Sequence, residues 1–272
     1  GTHGFYFQFK QTGTSANSSG IGADTSGQDN HYAVNNLAAT EVTEDTPTNN
    51  FATLNPLFRS NFDNDGAYTE GNCEQSFTSA NSDRGYGFAS FGVTQGKWYW
   101  EVKIPTVARA NTGIGDLNGI AEFTGVIYDQ TPSKGFIVNY NGQIEENGTA
   151  TSYANSLSDN DIVMWALDMD NHRAYYGING TWQDSGDPTS GSTGTGDVTT
   201  QISDQSHLNT GEPMFPFCLD ASTSGQSKFQ WNFGNAPFSI SSGNTDGKYG
   251  NFEYAVPSGY YALCTKRLAD FG

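Results

Sequence analysis

The chain has 272 residues, a formal net charge of −17 and only 12 lysines and arginines. Because nucleic acids and anionic membranes are bound through cations, this charge excludes a nucleic-acid-binding function and argues against membrane docking, and no apolar run is long enough for membrane insertion. Aromatic residues make up 14% of the chain and charged residues 15%, with 33 glycines, so the composition favours an ordered all-β protein with many turns over a disordered chain.

Alternation of apolar and polar residues recurs along the chain, whereas helical periodicity is almost absent. The first strand is predicted at residues 5–9, where Phe5, Phe7 and Phe9 share a face. The next clear strand covers residues 97–104 and is predicted to have one buried face and one wetter face. Later strands are predicted at 135–140, 162–169, 173–178, 214–219, 228–233 and 260–265.

Turn signals separate these strands. The pairs Asn141-Gly142 and Asn179-Gly180 predict tight hairpin turns in which both central residues take a positive φ. Residues 184–197 contain no apolar side chain and are predicted to form a long mobile surface loop. Short strands joined by such turns imply an antiparallel sandwich.

The sequence carries few signals for metals or disulfides. Three cysteines lie far apart and form no CxxC motif, so we expect buried free thiols, with one disulfide as the alternative: Cys73, Cys218 and Cys264. Asp and Asn cluster at 63–66 and 159–161, a composition that suits either calcium loops or ordinary turns. We expect no cofactor; if a structural Ca²⁺ binds, Asp63 and Asp65 are the expected ligands.

No constellation of catalytic residues stands out. Glu145 and Glu146 are adjacent, and neighbouring residues of a strand face opposite sides, so they do not form the carboxylate pair of a retaining glycosidase. Glu101 stands alone on its strand and is interpreted as a structural hydrogen-bond acceptor. The sequence also lacks a nucleophile elbow and a phosphate-binding loop. We therefore predict that the protein is not an enzyme.

Three stretches carry a family resemblance: Gly96–Val102 (GKWYWEV), Asp161–Gly180 and Phe229–Gly234. They resemble the SPRY domain, a concanavalin A-like β-sandwich, and together span about residues 85–238. Met164 and Trp165 depart from the family pattern, which usually has glycine and a small residue there. The hairpin is therefore expected to pack differently.

The flanking sequences resemble parts of other modules. Residues 4–9 and 24–30 are similar to the opening of laminin G-like modules. Residues 45–56 and 257–265 are similar to stretches that flank SPRY-type modules in bacteriophage virion proteins.

The resemblance implies an all-β fold, an antiparallel two-sheet concanavalin A-like jelly-roll sandwich that is SPRY-like. We expect a single domain over residues 1–272 that is a piece of a longer chain. Its parts are an N-terminal strand with loops, a SPRY-like core and a C-terminal closing strand: 1–75, 85–238 and 250–272.

SPRY domains bind ligands and do not catalyse reactions. The resemblance therefore implies a structural module on the surface of a bacteriophage virion, in a tail fibre, a tail-associated protein or a capsid-surface protein. Its expected partners are a host-surface glycan or protein and other virion subunits, and a homo-oligomer stays open. The alternatives are a non-viral extracellular lectin-like adhesion domain and, less favoured, a polysaccharide-degrading enzyme.

SPRY ligands usually contact loops at one edge of the sandwich, which implies the loops around 106–118, 141–160 and 182–200. The candidate binding residues are Arg109, Asn111, Tyr153 and Trp182. Trp182 follows a turn and precedes the polar loop, so it is interpreted either as a binding ring or as a packed lid.

Overall fold

The computed structural model describes residues 1–37, 42–58, 66–77, 85–116, 135–146, 149–201, 205–222 and 226–272. Contacts divide the chain into two compact units, Gly1–Glu44 and Asp45–Gly272. The expectation of a single domain over residues 1–272 stays a prediction. No helix in the described ranges is long and apolar enough to span a bilayer.

The N-terminal unit does not form the predicted strand at residues 5–9. Phe7 makes only an isolated bridge to Asp24, and Phe9 has a φ of 52°, which ends the extended backbone. The Asp24 carboxylate instead accepts hydrogen bonds from the backbone N–H groups of Tyr6 and Ser26, both at 2.8 Å. This unit is therefore organised by a side-chain acceptor and not by a ladder of strands.

Fourteen strands and one helix lie in the described part of the second unit. They are β1 Ala67–Thr69, β2 Glu74–Ser76, β3 Gly85–Phe88, β4 Lys97–Thr106, β5 Ala110–Asp116, β6 Gly135–Val138, β7 Gln143–Glu146, β8 Thr149–Ser152, β9 Asp161–Asp168, β10 Arg173–Ile178, β11 Thr181–Trp182, β12 Met214–Asp220, β13 Lys228–Asn232, β14 Tyr261–Ala262 and α1 Thr265–Phe271.

The strands form two sheets, as the sequence predicts for a sandwich. Over the described residues, one sheet has eight strands in the order β1-β2-β13-β4-β9-β10-β11, with β14 added beside β4. The other has six strands in the order β3-β12-β5-β6-β7-β8. Every strand pair is antiparallel except β14 with β4, so the fold is an antiparallel two-sheet sandwich.

The main core lies between the inner faces of the two sheets. Trp165 on β9 donates a hydrogen bond from Nε1 to the Thr112 hydroxyl on β5, at 3.0 Å, and so connects the sheets. Trp100 lies opposite Trp165 on the neighbouring strand, with ring centroids 6.3 Å apart. The tryptophans that the alternation assigns to the core are fully buried: Trp98, Trp100, Trp165 and Trp231.

The outer face of the eight-stranded sheet is also covered, by chain segments within 183–198 and 235–260. Tyr99 on β4 is fully buried and packs edge to face against Phe252, at 5.1 Å between centroids. The Tyr175 hydroxyl shares a hydrogen bond with Ser190. The predicted wetter face of the strand at 97–104 is confirmed at its ends, where Lys97 and Lys103 are half-exposed, but a third layer of irregular chain buries Tyr99 and Glu101 between them.

Glu101 attaches this third layer to the sheet. Its fully buried carboxylate accepts four hydrogen bonds of 2.8 to 3.0 Å, two from side chains of the sheet and two from backbone N–H groups of the covering segment: Tyr99, Asn232, Glu253 and Tyr254. Burial raises the pKa of Glu101, and the four donors oppose that shift. The interpretation of Glu101 as a structural acceptor is confirmed.

The segment at 184–197 belongs to the same covering layer. It forms short 3₁₀ turns and is tied down at several points. Arg173 pairs with Asp197 at 3.2 Å, and the Tyr260 hydroxyl donates to the Pro188 carbonyl at 2.9 Å. The segment lies largely at the surface, as predicted, but its own carbonyl and carboxyl groups bond to the sheet and its cover, which argues against the predicted mobility.

The two stretches at 45–56 and 257–265 lie side by side although 200 residues separate them. The Ala52 N–H donates to the Leu263 carbonyl and the Thr265 N–H to the Asn50 carbonyl, both at 2.9 Å. The predicted strand at 260–265 is confirmed only as the short β14, and α1, which the sequence analysis misses, follows it.

All three cysteines are free and buried, as expected. Burial raises the pKa of the Cys73 thiol to about 12, and it also raises the pKa values of the other two thiols. Thiols in this state are poor nucleophiles, so they contribute to packing.

Replacing Glu101 with glutamine tests the attachment of the covering layer. All four groups around the carboxylate are donors. The NH₂ group of Gln is also a donor, so at least one buried N–H or O–H group would lose its acceptor. We expect Glu101→Gln to lower the free energy of unfolding by about 2–4 kcal/mol in urea titrations. The exposed Glu212→Gln is the matched control, and equal stability of the two variants would contradict the role of Glu101.

The pair of Asp246 with Arg267 gives a pH-dependent test of the docking of α1. Arg267 donates from Nε and Nη2 at 2.7 and 2.8 Å. Burial acts to raise the pKa of Asp246, but the hydrogen bonds from Arg267 and the backbone outweigh it, and the net pKa is lowered. The carboxylate therefore stabilises the fold above its unfolded pKa, and the effect is lost as pH falls through the lowered folded pKa.

We expect Asp246→Asn to cost about 1–2 kcal/mol at neutral pH. The difference from the unchanged protein should shrink as urea titrations are repeated at pH values below the ordinary aspartate pKa of about 3.9, because the unfolded chain then takes up a proton on this carboxyl while the folded chain still holds it ionised. A difference that stays constant with pH would contradict the ion pair.

Candidate functional site

A cleft of about 220 Å³ opens at one end of the six-stranded sheet. Its lining comes from five neighbouring strands and from the turns beside them: β12, β5, β6, β7 and β8. The lining residues are Arg109, Asn111, Asn139, Tyr140, Asn141, Gln143, Glu145, Ala150 and Ala221. The cleft therefore crosses most of one sheet and is not a gap within a single loop.

Asn139 organises the wall of the cleft. Its side-chain oxygen accepts hydrogen bonds from the backbone N–H groups of Asn141 and Gln143, at 2.9 and 3.0 Å. Its amide nitrogen donates to the Glu145 carboxylate at 2.5 Å. One buried side chain thus fixes both the turn and the direction of Glu145.

The turn between β6 and β7 confirms the predicted hairpin but not its predicted geometry. Gly142 has a φ of 77°, whereas Asn141 is not among the residues with positive φ. The loop has three residues between Asn139 and Gln143, the type in which only the last takes a left-handed conformation. A Cβ on Gly142 would lie 2.1 Å from the Ala154 carbonyl, so glycine is required. At Asn179-Gly180 both residues have positive φ, as predicted.

Arg109 and Asn111 form the opposite side of the cleft. The Asn111 side-chain oxygen accepts a hydrogen bond from the Tyr140 N–H at 3.2 Å, so Asn111 positions Tyr140. The backbone N–H of Arg109 donates to the Ser227 hydroxyl, which in turn donates to the buried Asp220 carboxylate at 2.9 Å. Burial raises the pKa of Asp220, and the donors around it oppose that shift.

Glu145 and Glu146 point to opposite sides of β7, as the alternation predicts. Glu145 lines the cleft, whereas Glu146 is buried and lies 2.6 Å from His207 Nε2. His207 Nδ1 accepts the Gly135 N–H at 3.0 Å, so the histidine fixes the start of β6. The two carboxylates do not face a common substrate position.

The four candidate binding residues divide into two pairs. Arg109 and Asn111 line the cleft together. Tyr153 is half-buried and donates its hydroxyl to the Gly196 carbonyl at 2.9 Å. Trp182 is half-buried and packs near Tyr99, with centroids 6.4 Å apart, which corresponds to the packed-lid interpretation. Tyr153 therefore contacts the layer that covers the eight-stranded sheet, and Trp182 packs near the outer face of that sheet.

Asp63 and Asp65 lie outside the described residues, so their role as calcium ligands stays a prediction. Within the ranges that the structure describes, no group of three or more His, Cys, Asp or Glu side chains could hold a metal ion. The second Asp-rich loop is used otherwise: Asp159 accepts the Val107 N–H at 2.7 Å.

Four further polar residues line the cleft but are not among the named candidates, although the last two lie within the predicted binding loop 141–160: Asn139, Tyr140, Gln143 and Glu145. Their signal is present in the segment that surrounds the predicted turn, where polar side chains alternate with Val138 and Ile144. The order of β5 and β6 in the sheet decides which of these side chains lie near Arg109. The alternation of polar and apolar residues within one segment carries no information about that order.

The structure is similar to two solved structures. One is the SPRY domain of human HERC1, with a TM-score of 0.44 and 18% identity, over 65% of this chain and 96% of that one. The other is stonustoxin, with a TM-score of 0.45 and 15% identity, over 67% of this chain and 27% of that one. Because both TM-scores are below 0.5, the sandwich assignment depends on the sheet topology itself. No protein-family profile and no curated protein matches the sequence.

A charge change at Asn139 tests the wall of the cleft. Asn139→Asp keeps the acceptor for the turn but places a second carboxylate against Glu145. We expect a loss of about 1–2 kcal/mol at neutral pH, measured by urea unfolding, and a partial recovery in mild acid as the pair takes up a proton. Adding Glu145→Gln should restore the stability. Failure of this second change to do so would show that Asn139 does not act through Glu145.

Proposed function

We propose that this chain is a non-catalytic interaction module on the surface of a bacteriophage virion, where it binds a host-surface glycan or protein through the cleft. The cleft is the observation that carries the proposal. It is open, lined by backbone-anchored polar side chains and placed where several turns meet, as in many binding sites.

The arrangement of the sequence motifs supports a SPRY-like module. The three stretches that resemble the SPRY domain lie on β4, on the β9–β10 hairpin and on β13. These strands are adjacent in one sheet, in the order β13-β4-β9-β10. Residues that are far apart in the sequence therefore form one continuous structural unit.

The virion assignment rests on the flanking stretches. Residues 45–56 and 257–265, which resemble segments beside phage SPRY-type modules, pair with each other through backbone hydrogen bonds. Their joint packing supports the view that they belong to one module. Contacts with other virion subunits are the second role that this placement favours.

Attachment through many weak sites fits a small cleft. A cleft of about 220 Å³ is smaller than typical sites for drug-sized ligands, which measure about 300–1,000 Å³. A single copy is therefore expected to bind weakly, and many copies on one particle would raise the avidity.

The experiment displays the chain on streptavidin tetramers and measures their binding to a panel of intact bacterial strains by flow cytometry. We expect the tetramers to bind a subset of strains and the monomer to bind at least tenfold more weakly. Arg109→Ala should reduce tetramer binding at least tenfold. Lys266→Ala, which removes an exposed cation elsewhere, is the matched control, and the melting temperature of each variant verifies its fold.

Two results would contradict the proposal. If the tetramers bind no strain, the chain has a scaffolding role instead. If Arg109→Ala leaves tetramer binding unchanged, the binding site lies elsewhere. Release of soluble sugar from the bound cells would favour the polysaccharide-degrading alternative. For the virion assignment, antibodies against the chain should label intact phage particles in electron micrographs, and labelling of uninfected cells instead would favour a non-viral adhesin.

A further inference from the structure

The polar groups of the cleft match hydroxyl groups better than charged groups. Among the described residues, no hydrogen bond engages the Tyr140 hydroxyl, the Asn141 side-chain amide or Gln143 Nε2. These groups include donors and acceptors, and a sugar hydroxyl also does both. Side-chain oxygens of Asn111 and Asn139 hold the backbone N–H groups of these residues, so binding has to order their side chains but not their backbone.

The charge of the cleft favours a neutral ligand. One cation, Arg109, and one anion, Glu145, are its only ionised side chains within the described residues, so their formal charges cancel. The whole chain carries −17, and this field repels acidic polymers from its surface. Acidic polysaccharides and phosphorylated lipids are therefore disfavoured.

The apolar groups and the size of the cleft set the shape of the ligand. The half-buried Tyr140 ring, with Ala150 and Ala221, supplies the apolar part of the lining. An aromatic ring packs well against the C–H face of a pyranose, whose hydroxyls then point to the polar wall. The volume of about 220 Å³ suits one such ring and not a long segment of polymer.

We propose that the cleft binds one neutral pyranose ring of a surface glycan, with Tyr140 against the ring face and Gln143, Asn141 and Glu145 on its hydroxyls. This inference deepens the proposed function and rests on it. Asn139 and Asn111 are positioning residues, because they hold the turn and the Tyr140 backbone.

The test titrates the ¹⁵N-labelled chain with methyl glycosides of glucose, galactose, mannose and N-acetylglucosamine and follows the amide signals by NMR. At least one glycoside should shift the signals of residues 139–145 and Ala221 in a saturable way. The shifts should not change with EDTA or with a tenfold increase in NaCl, because neither a metal nor net charge holds the ligand. Galacturonate and sialic acid should bind at least tenfold more weakly.

Tyr140→Ala should weaken the binding of that glycoside at least tenfold, and Tyr140→Phe should weaken it less. Tyr6→Ala, which removes an exposed tyrosine of the N-terminal unit, is the matched control. Amide spectra of each variant report whether the fold is retained.

The outcomes separate this inference from the proposed function. If no neutral glycoside shifts the cleft signals but the tetramers still bind cells through Arg109, the ligand is a protein or an acidic group and only the inference is overturned. If acidic sugars bind more tightly than neutral ones, the inference is also overturned. If neither glycosides nor cells bind, the proposed function fails as well.

Discussion

The buried carboxylate of Glu101 is the interaction on which the layered structure depends. A charge without water needs several donors, and Glu101 finds four within 3.0 Å. Two of these are backbone N–H groups from the covering segment. The sheet and the covering segment therefore share the hydrogen bonding of one buried carboxylate.

This cover decides where the molecule can present a ligand site. The outer face of the eight-stranded sheet holds residues such as Tyr99 and Met164 that are almost fully buried. The Met164 sulfur also accepts the Gly180 N–H at 3.2 Å, so the residue that departs from the SPRY pattern is used in packing. The open polar cleft lies instead on the six-stranded sheet, where short turns and anchored amide side chains leave a concave surface.

The sequence predicts the strands whose side chains alternate strongly, and the structure confirms β4, β6, β9, β10, β12 and β13. It does not predict β5 or β8, because Ala110–Asp116 and Thr149–Ser152 are rich in Gly, Ala, Ser and Thr and form strands through their neighbours. The covering layer is also missed. Its segments follow neither strand nor helix periodicity, and tertiary contacts such as those of Phe252 with Tyr99 and of Tyr260 with Pro188 hold them against the sheet.

Of the four candidate residues, Arg109 and Asn111 line the cleft, where Arg109 precedes β5 and Asn111 lies within it. Trp182 and Tyr153 look similar in the sequence, yet the Trp182 ring packs near Tyr99 of the eight-stranded sheet, and the Tyr153 hydroxyl bonds to Gly196 of the covering layer. The difference lies in the order of strands within each sheet, which is a long-range property.

Hydrogen exchange would show whether the ligand occupies the polar cleft of the six-stranded sheet. The displayed chain is compared free and bound to cells of a strain that it recognises, and the amides are read by mass spectrometry of the recovered protein. We expect new protection in residues 139–145 and 109–111, with the covering segments 183–198 and 235–260 unchanged. Protection that appears in those covering segments and not at the cleft would contradict this expectation.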